Sequence, residues 1–436
     1  MNSLFEYRGL ALNLLQKIDA KVGDRIRITS KNVTYEGIVM PRSELGDEKH
    51  IVIKLNNGYN VGVEISEHTP IEKVAIGEEF AIKFPFKIFE DPTKPTVSIL
   101  GTGGTIASRV DYKTGAVSPA FSAEDLLQAV PELANFANIK GRPIFNIFSE
   151  NMSPKHWIKL AHEIAKEIKN GVSGVVVTHG TDTMGYTSAA LSFMLKNLPV
   201  PVVLIGAQRS SDRGSSDAAI NLINGVAIAA TAPFAQVVVV MHGESSDSYC
   251  LIHPGTKVRK MHSSKRDTFQ TINAAPIGKV ENGKITLFKR DYLPRSKQEV
   301  LVDDRLEPKV ALVKTYPGIE SEIIDLLVNA GYKGIVIEGT GLGHTPEWLF
   351  RSIEKAIKKG IPVVMTSQTI FGRVNMSVYS TGRELLARGV IPGEDIIPEV
   401  ALVKLMFVLG HTNDMDKVRE LMVTNIAGEL TTSIER

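Results

Sequence analysis

Val97-Ser-Ile-Leu-Gly-Thr-Gly-Gly-Thr105 and Gly174-Val-Val-Val-Thr-His-Gly-Thr-Asp-Thr-Met184 decide how this 436-residue chain folds. Each opens as a short apolar run bounded by turn formers, which suits a buried strand. Each then breaks into small and hydroxyl-bearing residues. Similar runs follow at Pro201-Val-Val-Leu-Ile-Gly206 and Gln236-Val-Val-Val-Val-Met241. Helical spacing of apolar residues separates them, over residues 156–170 with a stop at Gly171, and over residues 189–198. Apolar strands alternating with helices predict a mostly parallel sheet covered on both faces.

A second block of the same kind follows. Lys309-Val-Ala-Leu-Val313, Gly334-Ile-Val-Ile-Glu338 and Pro362-Val-Val-Met-Thr366 read as strands, and Ile323, Ile324, Leu327 and Val328 share one helical face. Residues 290–308 are charged, carry prolines and lack periodicity, as in a linker. The start of the chain differs. After a short helix over 8–18, Arg25-Ile-Arg-Ile-Thr29 and Asn60-Val-Gly-Val-Glu-Ile65 alternate polar and apolar, and Gly37-Ile-Val-Met40 and Ile51-Val-Ile-Lys-Leu55 are short β-type runs. Turn formers at 30–32, 41–47 and 56–58 separate them. Short strands so close together predict a small closed β-barrel. The expected organisation is an α/β protein: a barrel with an N-terminal helix over 1–92, a catalytic α/β domain over 93–290, a linker over 291–308, and a C-terminal α/β domain over 309–436.

Composition excludes several classes. Fifty basic and 48 acidic residues leave a net charge of +2, which creates no global field for gripping nucleic acid. Cys250 is the single cysteine, so no disulfide forms within the chain, and a cytoplasmic setting is expected. Its apolar neighbours mark it as a packing residue rather than a nucleophile. The first thirty residues do not read as a signal peptide, and no apolar run is long enough to span a bilayer.

Ligands of open α/β sheets bind beyond the carboxyl ends of the strands, where the two polar clusters fall. The first begins like a dinucleotide fingerprint at Gly101 and Gly103, but Ile106 stands where the third glycine belongs. A nucleophilic Thr102 makes better chemical sense. Gly101, Gly103 and Gly104 let a carbonyl approach the backbone, whose N–H groups stabilise an oxyanion. A threonine hydroxyl needs a base, and the second cluster offers Thr181, Asp182 and, with a lysine held near that carboxylate, a proton relay. His179 has no second His or Cys at ligand spacing, so a structural hydrogen bond is expected of it and no metal site.

Thr102-Gly-Gly-Thr-Ile-Ala107 and His179-Gly-Thr-Asp-Thr-Met184 resemble the two signature segments of the bacterial-type L-asparaginases, and the resemblance runs over residues 96–430. It implies that Thr102 is the primary nucleophile and that Thr181 and Asp182 are the second hydroxyl and its carboxylate partner. Lys260, by its spacing before Phe269, matches the family lysine, with Lys265 as a rival. Tyr112 resembles the tyrosine that closes over the substrate. Ser149, Glu150 and Gly180 fall where the family holds the substrate's α-carboxylate and α-amino group, Glu150 replacing a common Gln. The backbone at Gly103 and Gly104 supplies the oxyanion site, Gln208 and Arg209 order the surroundings, and His344 lies where a neighbouring protomer's site is completed. No metal or organic cofactor is implied in this chain.

Free asparaginases begin near the first cluster, whereas this chain carries residues 1–92 before it. That arrangement is similar to the asparaginase-related subunits of archaeal tRNA-dependent amidotransferases. The resemblance implies that ammonia released from Gln or Asn passes to a partner, the E subunit of such an amidotransferase, which uses ATP and Mg to activate and amidate Glu-tRNA(Gln). It implies tRNA contact mainly through that partner, a homodimer at the centre of a heterotetramer, and no membrane. Two alternatives are a stand-alone L-asparaginase with an added barrel and a non-catalytic tRNA-binding scaffold. The complete set of Thr102, Thr181, Asp182 and Lys260 speaks against the scaffold.

Overall fold

The computed structural model describes residues 7–40, 42, 47–55, 60–76, 91–103, 108–111, 116–119, 122–209, 215–288 and 291–431. A helix over Gly9–Lys17 precedes five antiparallel strands: β1 (Arg25–Ser30), β2 (Val33–Val39), β3 (His50–Leu55), β4 (Asn60–Glu64) and β5 (Ile71–Ala75). Alternation explains them. Ile26 and Ile28 of β1 point inward to meet Leu15, Ile51 and Ile53. Arg27 points outward and reaches Glu36 at 2.9 Å and Glu72 at 2.5 Å on the flanking strands. The pairings run in a line, β4-β3-β2-β1-β5, and the Ser30 hydroxyl donates to the Glu64 carbonyl at 2.6 Å. A β4–β5 pair, which would close the expected barrel, is not among the described pairings.

β6 (Thr96–Gly101) starts the central sheet of eight strands. Five neighbours are parallel, in the order Asn138–Pro143, β6, Gly174–Thr178, Val202–Ile205 and Val237–His242. Cys250–Pro254, Gly278–Glu281 and Lys284–Leu287 extend it antiparallel. The parallel strands read as unbroken apolar runs because both faces are covered. Leu100, Val175 and Val177 join the core on one face, and Val97, Ile99 and Val176 the core on the other. The helix Pro154–Lys169 covers the first face with Trp157, Leu160, Ala161, Ile164, Ala165 and Ile168. A proline opens it two residues before the expected start, lysines fill its last turn, and Gly171 at φ +85° ends it, as the glycine stop predicts.

The next helix spans Met184–Met194, starting and stopping earlier than the apolar spacing predicts. Its expected last turn, Leu195–Lys196, is instead drawn into a two-strand pair with Leu301–Val302. The residues expected to be a linker are therefore fastened down. Arg295 donates to the carbonyls of Ala232 at 2.6 Å, Ser173 at 2.7 Å and Ala229 at 3.0 Å, capping the end of the helix Ala218–Thr231.

Four parallel strands form the last sheet, in the order Val310–Lys314, Gly334–Gly339, Val363–Ser367 and Ile391–Pro392. The helix Pro398–Leu409 packs between it and Met184–Met194, with Phe193 and Phe407 stacked at 5.8 Å. One continuous core thus joins both α/β sheets. At its margin the Lys404 ammonium lies 2.6 Å from Glu429, both side chains fully buried. Lys404 also donates to the carbonyls of Met422 and Thr424. Removing one partner leaves an uncompensated buried charge. Lys404→Met is expected to destabilise the chain by about 3–5 kcal/mol in denaturant unfolding; a loss under about 1 kcal/mol, the scale of a surface pair, would show the pair to be dispensable.

Candidate active site

The two polar clusters meet because their strands are parallel neighbours in one register. Gly101 of β6 lies opposite Thr178, so both chains leave the sheet at the same level. Thr102 follows at once and is buried at 1% exposure. Its N–H donates to the Thr178 carbonyl at 3.1 Å and its hydroxyl donates to the same oxygen at 3.0 Å. Gly103 takes φ +107°, where a side chain is strained, and a Cβ there would sit 2.3 Å from the Ile147 carbonyl. The turn after Thr102 therefore requires glycine.

Beyond Thr178 the chain passes Gly180 into a single 3-10 turn, Thr181–Thr183. Lys260 arrives from the short hairpin of Val258–Lys260 and Phe269–Thr271. Its ammonium donates to the Thr181 hydroxyl at 2.9 Å and to the Asp182 carboxylate at 2.8 Å. Thr181 is buried, whereas the Asp182 side chain is 67% exposed at the rim. Lys265, the rival, lies exposed in the following turn, its N–H donating to His262. The structure thus brings Thr181, Asp182 and Lys260 into direct contact, while Thr102 is bonded to the Thr178 carbonyl at the end of the neighbouring strand.

Ser149 and Glu150 open another 3-10 turn, Ser149–Asn151, beside this cluster. Ser149 is buried against Gly180, where a Cβ would come within 2.7 Å of the serine's own. The Thr183 hydroxyl donates to the Ser149 carbonyl at 2.7 Å and ties the two turns together. Glu150 is exposed. Tyr112 and Gly104 lie outside the described residues. Gln208 and Arg209 are held by their backbone N–H groups, which donate to the buried Asp217 carboxylate at 3.0 and 2.9 Å. His344 packs edge-on against Tyr379 and reaches the Thr381 hydroxyl at 3.1 Å. Cys250 is fully buried, and burial pushes its thiol up to about 12.

His179 has the hydrogen-bonding position that its motif suggests, through partners the sequence does not disclose. The Trp157 indole, a donor only, gives its proton to the Thr187 hydroxyl at 3.0 Å. Thr187 in turn donates to His179 Nε2 at 2.9 Å, which leaves Nδ1–H to donate to the Gly180 carbonyl at 2.6 Å. The chain of donors fixes a neutral tautomer and pins the peptide before Thr181. Burial pushes the imidazole down to about 4. No group of three or more His, Cys, Asp or Glu able to hold a metal occurs among the described residues. None of their helices is long and apolar enough to cross a membrane.

A threonine hydroxyl in a glycine turn at one strand end, a second hydroxyl bonded to a lysine–carboxylate pair beyond the end of the neighbouring strand, and a second α/β sheet joined to the first through one core together match an asparaginase-type amidohydrolase. Comparison with known proteins agrees. Residues 96–293 match the family "Asparaginase, N-terminal", and residues 309–422 match the "Glutaminase/Asparaginase C-terminal domain". The thermostable L-asparaginase from Thermococcus kodakarensis superposes with a TM-score of 0.69 at 36% identity, covering 78% of this chain and 100% of that one. A probable cytoplasmic L-asparaginase from Campylobacter jejuni gives 0.65 at 31%, covering 76% and 100%. Residues 20–74 match the "GatD N-terminal domain". The D subunit of the glutamyl-tRNA(Gln) amidotransferase of Pyrococcus abyssi is 59% identical over 96% of both chains, and that of Methanothermobacter thermautotrophicus 53% over 97% of both. The chain belongs to the GatD family, the D subunits of glutamyl-tRNA(Gln) amidotransferases.

Two predictions rest on this geometry. Gly103→Ala is expected to abolish amide hydrolysis or folded expression, since both φ and the Ile147 carbonyl forbid a side chain; wild-type turnover in that variant would mean that the turn can be rebuilt. The buried neutral histidines give the second. Their values in the folded chain, about 4 for His179 and about 3 for His253, lie below the ordinary 6.5, so the unfolded chain takes up protons first. Their contribution is complete above pH 6.5 and is lost as pH falls through the folded values. Denaturant midpoints measured from pH 7 down to 4 should therefore decline by on the order of a few kcal/mol in stability, and His179→Gln should flatten part of the slope.

Proposed function

We propose that this chain releases ammonia from the side-chain amide of Gln or Asn through Thr102, and that the ammonia serves to convert Glu-tRNA(Gln) to Gln-tRNA(Gln) on a partner protein. The observation that carries the reading is the Lys260 ammonium shared between Thr181 and Asp182, beyond a strand end paired in register with the strand that leads to Thr102, in a chain that matches GatD proteins along nearly its whole length. In the first half, Thr102 Oγ attacks the amide carbon, the C–N bond breaks, and the hydroxyl proton leaves with the nitrogen as ammonia. A carbonyl oxygen cannot take that proton outright, so the Thr102 hydroxyl must exchange its bond to Thr178 as it attacks. Backbone N–H groups at Gly103 and Gly104 hold the oxyanion.

In the second half, water adds to the resulting ester, the bond to Thr102 Oγ breaks, and a proton returns to it. Thr181 guides the water. Its oxygen accepts from Lys260, so its own proton is free to point at the reacting centre, and Asp182 keeps the ammonium in place. Ser149, Glu150 and Gly180 line up for the substrate's α-carboxylate and α-amino group, a carboxylate at Glu150 suiting the α-ammonium. Tyr112, outside the described residues, is assigned to cover the substrate.

The remaining organisation is part of the same proposal. A partner, the E subunit of the amidotransferase, supplies the ATP- and Mg-dependent activation and most of the tRNA contact. The chain pairs as a homodimer within a heterotetramer in the cytoplasm, and the domain boundaries fall at 92, 290 and 308. A stand-alone L-asparaginase is the second reading, favoured by the solved L-asparaginases that superpose on about three quarters of the chain.

Ammonia release from Gln and Asn separates the two. Stimulation of the purified chain by a candidate partner, ATP, Mg and Glu-tRNA(Gln) is expected; equal, vigorous release in every mixture would replace the tRNA-dependent reading with the asparaginase one. In either case Thr102→Ala should lower turnover by at least about a hundredfold, and near-wild-type release would remove Thr102 from the nucleophile role.

A further inference from the structure

Lys260 reaches the site on a hairpin that is held largely from the other side, by the C-terminal part of the chain. Alternation along the strand Val258–Lys260 sends Lys260 toward Thr181 and Asp182, and sends Arg259 the opposite way. There Arg259 Nε lies 3.1 Å from Glu399, in the first turn of the helix Pro398–Leu409. The second Glu399 oxygen is buried and has no hydrogen-bond partner among the described residues, so Arg259 is the guanidinium that compensates this carboxylate.

The roots of the hairpin are fastened as well. Lys257 lies 2.6 Å from Asp395, both buried, and Asn273 exchanges hydrogen bonds of 2.8 Å with Gly372 in both directions. Thr271 meets the buried His253 at 2.8 Å. On the side facing the catalytic turn, Gly185 lets the helix Met184–Met194 rest on the Val258 carbonyl, where a Cβ would stand only 3.1 Å away. The root pair resembles the buried Lys404–Glu429 pair in kind and holds the fold. The Arg259–Glu399 pair differs: it is partly exposed, with side chains 27% and 15% accessible, and it sits one residue from the lysine.

We infer that Arg259 and Glu399 are positioning residues that set where the Lys260 ammonium stands, so that the C-terminal α/β part contributes to amide hydrolysis through this ion pair. The inference rests on the catalytic reading of Lys260 given above. The physical argument is one of stiffness. A lysine has four rotatable carbons and no planar fork, so its placement depends on the backbone that carries it. That backbone is a strand of three residues, whose one described strand partner is Phe269–Thr271. A bond at the adjacent residue, directed to a rigid helix start, removes the rocking motion that such a strand otherwise has. Displacement of a catalytic group by about 1 Å costs up to roughly a hundredfold in rate.

The test uses the full chain and the ammonia-release assay, with Arg259→Met, Glu399→Gln and Arg259→Lys made alone and Arg259→Met also made in a Lys260→Met background. Arg259→Met and Glu399→Gln are expected to lower kcat by roughly ten- to a hundredfold while KM stays within about twofold. Arg259→Lys, which keeps a cation opposite Glu399, should recover much of the loss. In the Lys260→Met background, Arg259→Met should cost nothing further, because it acts through the lysine. Unchanged kcat in Arg259→Met and Glu399→Gln, with Lys260→Met reduced to a small but measurable turnover, would overturn the inference and leave the function proposed for the site intact. Losses that multiply in the double variant would also overturn it, as the mark of a general packing role. Full turnover in Lys260→Met would remove the premise itself. Glu399→Gln is nearly isosteric, so it decides the matter even if Arg259→Met folds poorly.

Discussion

The site depends on one register. Parallel pairing sets Gly101 against Thr178, and the Thr178 carbonyl then receives both the N–H and the hydroxyl of Thr102. Slipping either strand by one residue would send every side chain to the other face. The two cores forbid this, because Leu100 faces Val177 on one side of the sheet and Ile99 faces Val176 on the other. Hydrophobic alternation in the strands is thus what brings two hydroxyl-rich turns, far apart in sequence, to the same height. Thr181, Lys260 and Ser149 have a place to converge only because that height is shared.

Around this point the polar groups are arranged by donor capacity rather than by proximity alone. The indole of Trp157 can only donate, and this decides, through Thr187, which nitrogen of His179 carries hydrogen and so how Gly180 is held. Lys260 likewise only donates, so Thr181 must accept from it and keeps its own proton for another partner. Asp182, open to water, completes the charge balance without being forced to give up its hydration.

Much of this is readable from the sequence wherever a short-range pattern carries the information. The strands at 97–100, 174–177, 201–205 and 236–241 show as apolar runs, most of the helix Pro154–Lys169 shows, as 156–170, by its period and its glycine stop, and the two clusters show by their unusual density of hydroxyls after a buried strand. The contact of Lys260 with Thr181 and Asp182 follows the motif spacing. Long-range pairing is not readable. The turn of helix expected at Leu195–Lys196 becomes a strand only because Leu301–Val302 lies beside it. Lys257 and Asp395 stand 138 residues apart with nothing in either neighbourhood to announce the other. Residues 291–308 read as a tether because aperiodic segments usually are, and the four-armed grip of Arg295 on three helix-end carbonyls and that of Ser173 leaves no periodic trace.

That grip has a consequence for how substrate gains access. Enzymes built from two α/β halves often open and shut like a jaw, pivoting on the segment between the halves. Here the connecting segment is stitched along its length, by Arg295 at one end and the Leu195–Lys196 pairing further on, while a single apolar interior passes from one half into the other. Among the described residues the connecting segment offers no pivot. Entry of the amino acid and escape of ammonia then proceed without a parting of the two halves, and the joined body keeps Thr181, Asp182 and Lys260 aligned from one turnover to the next.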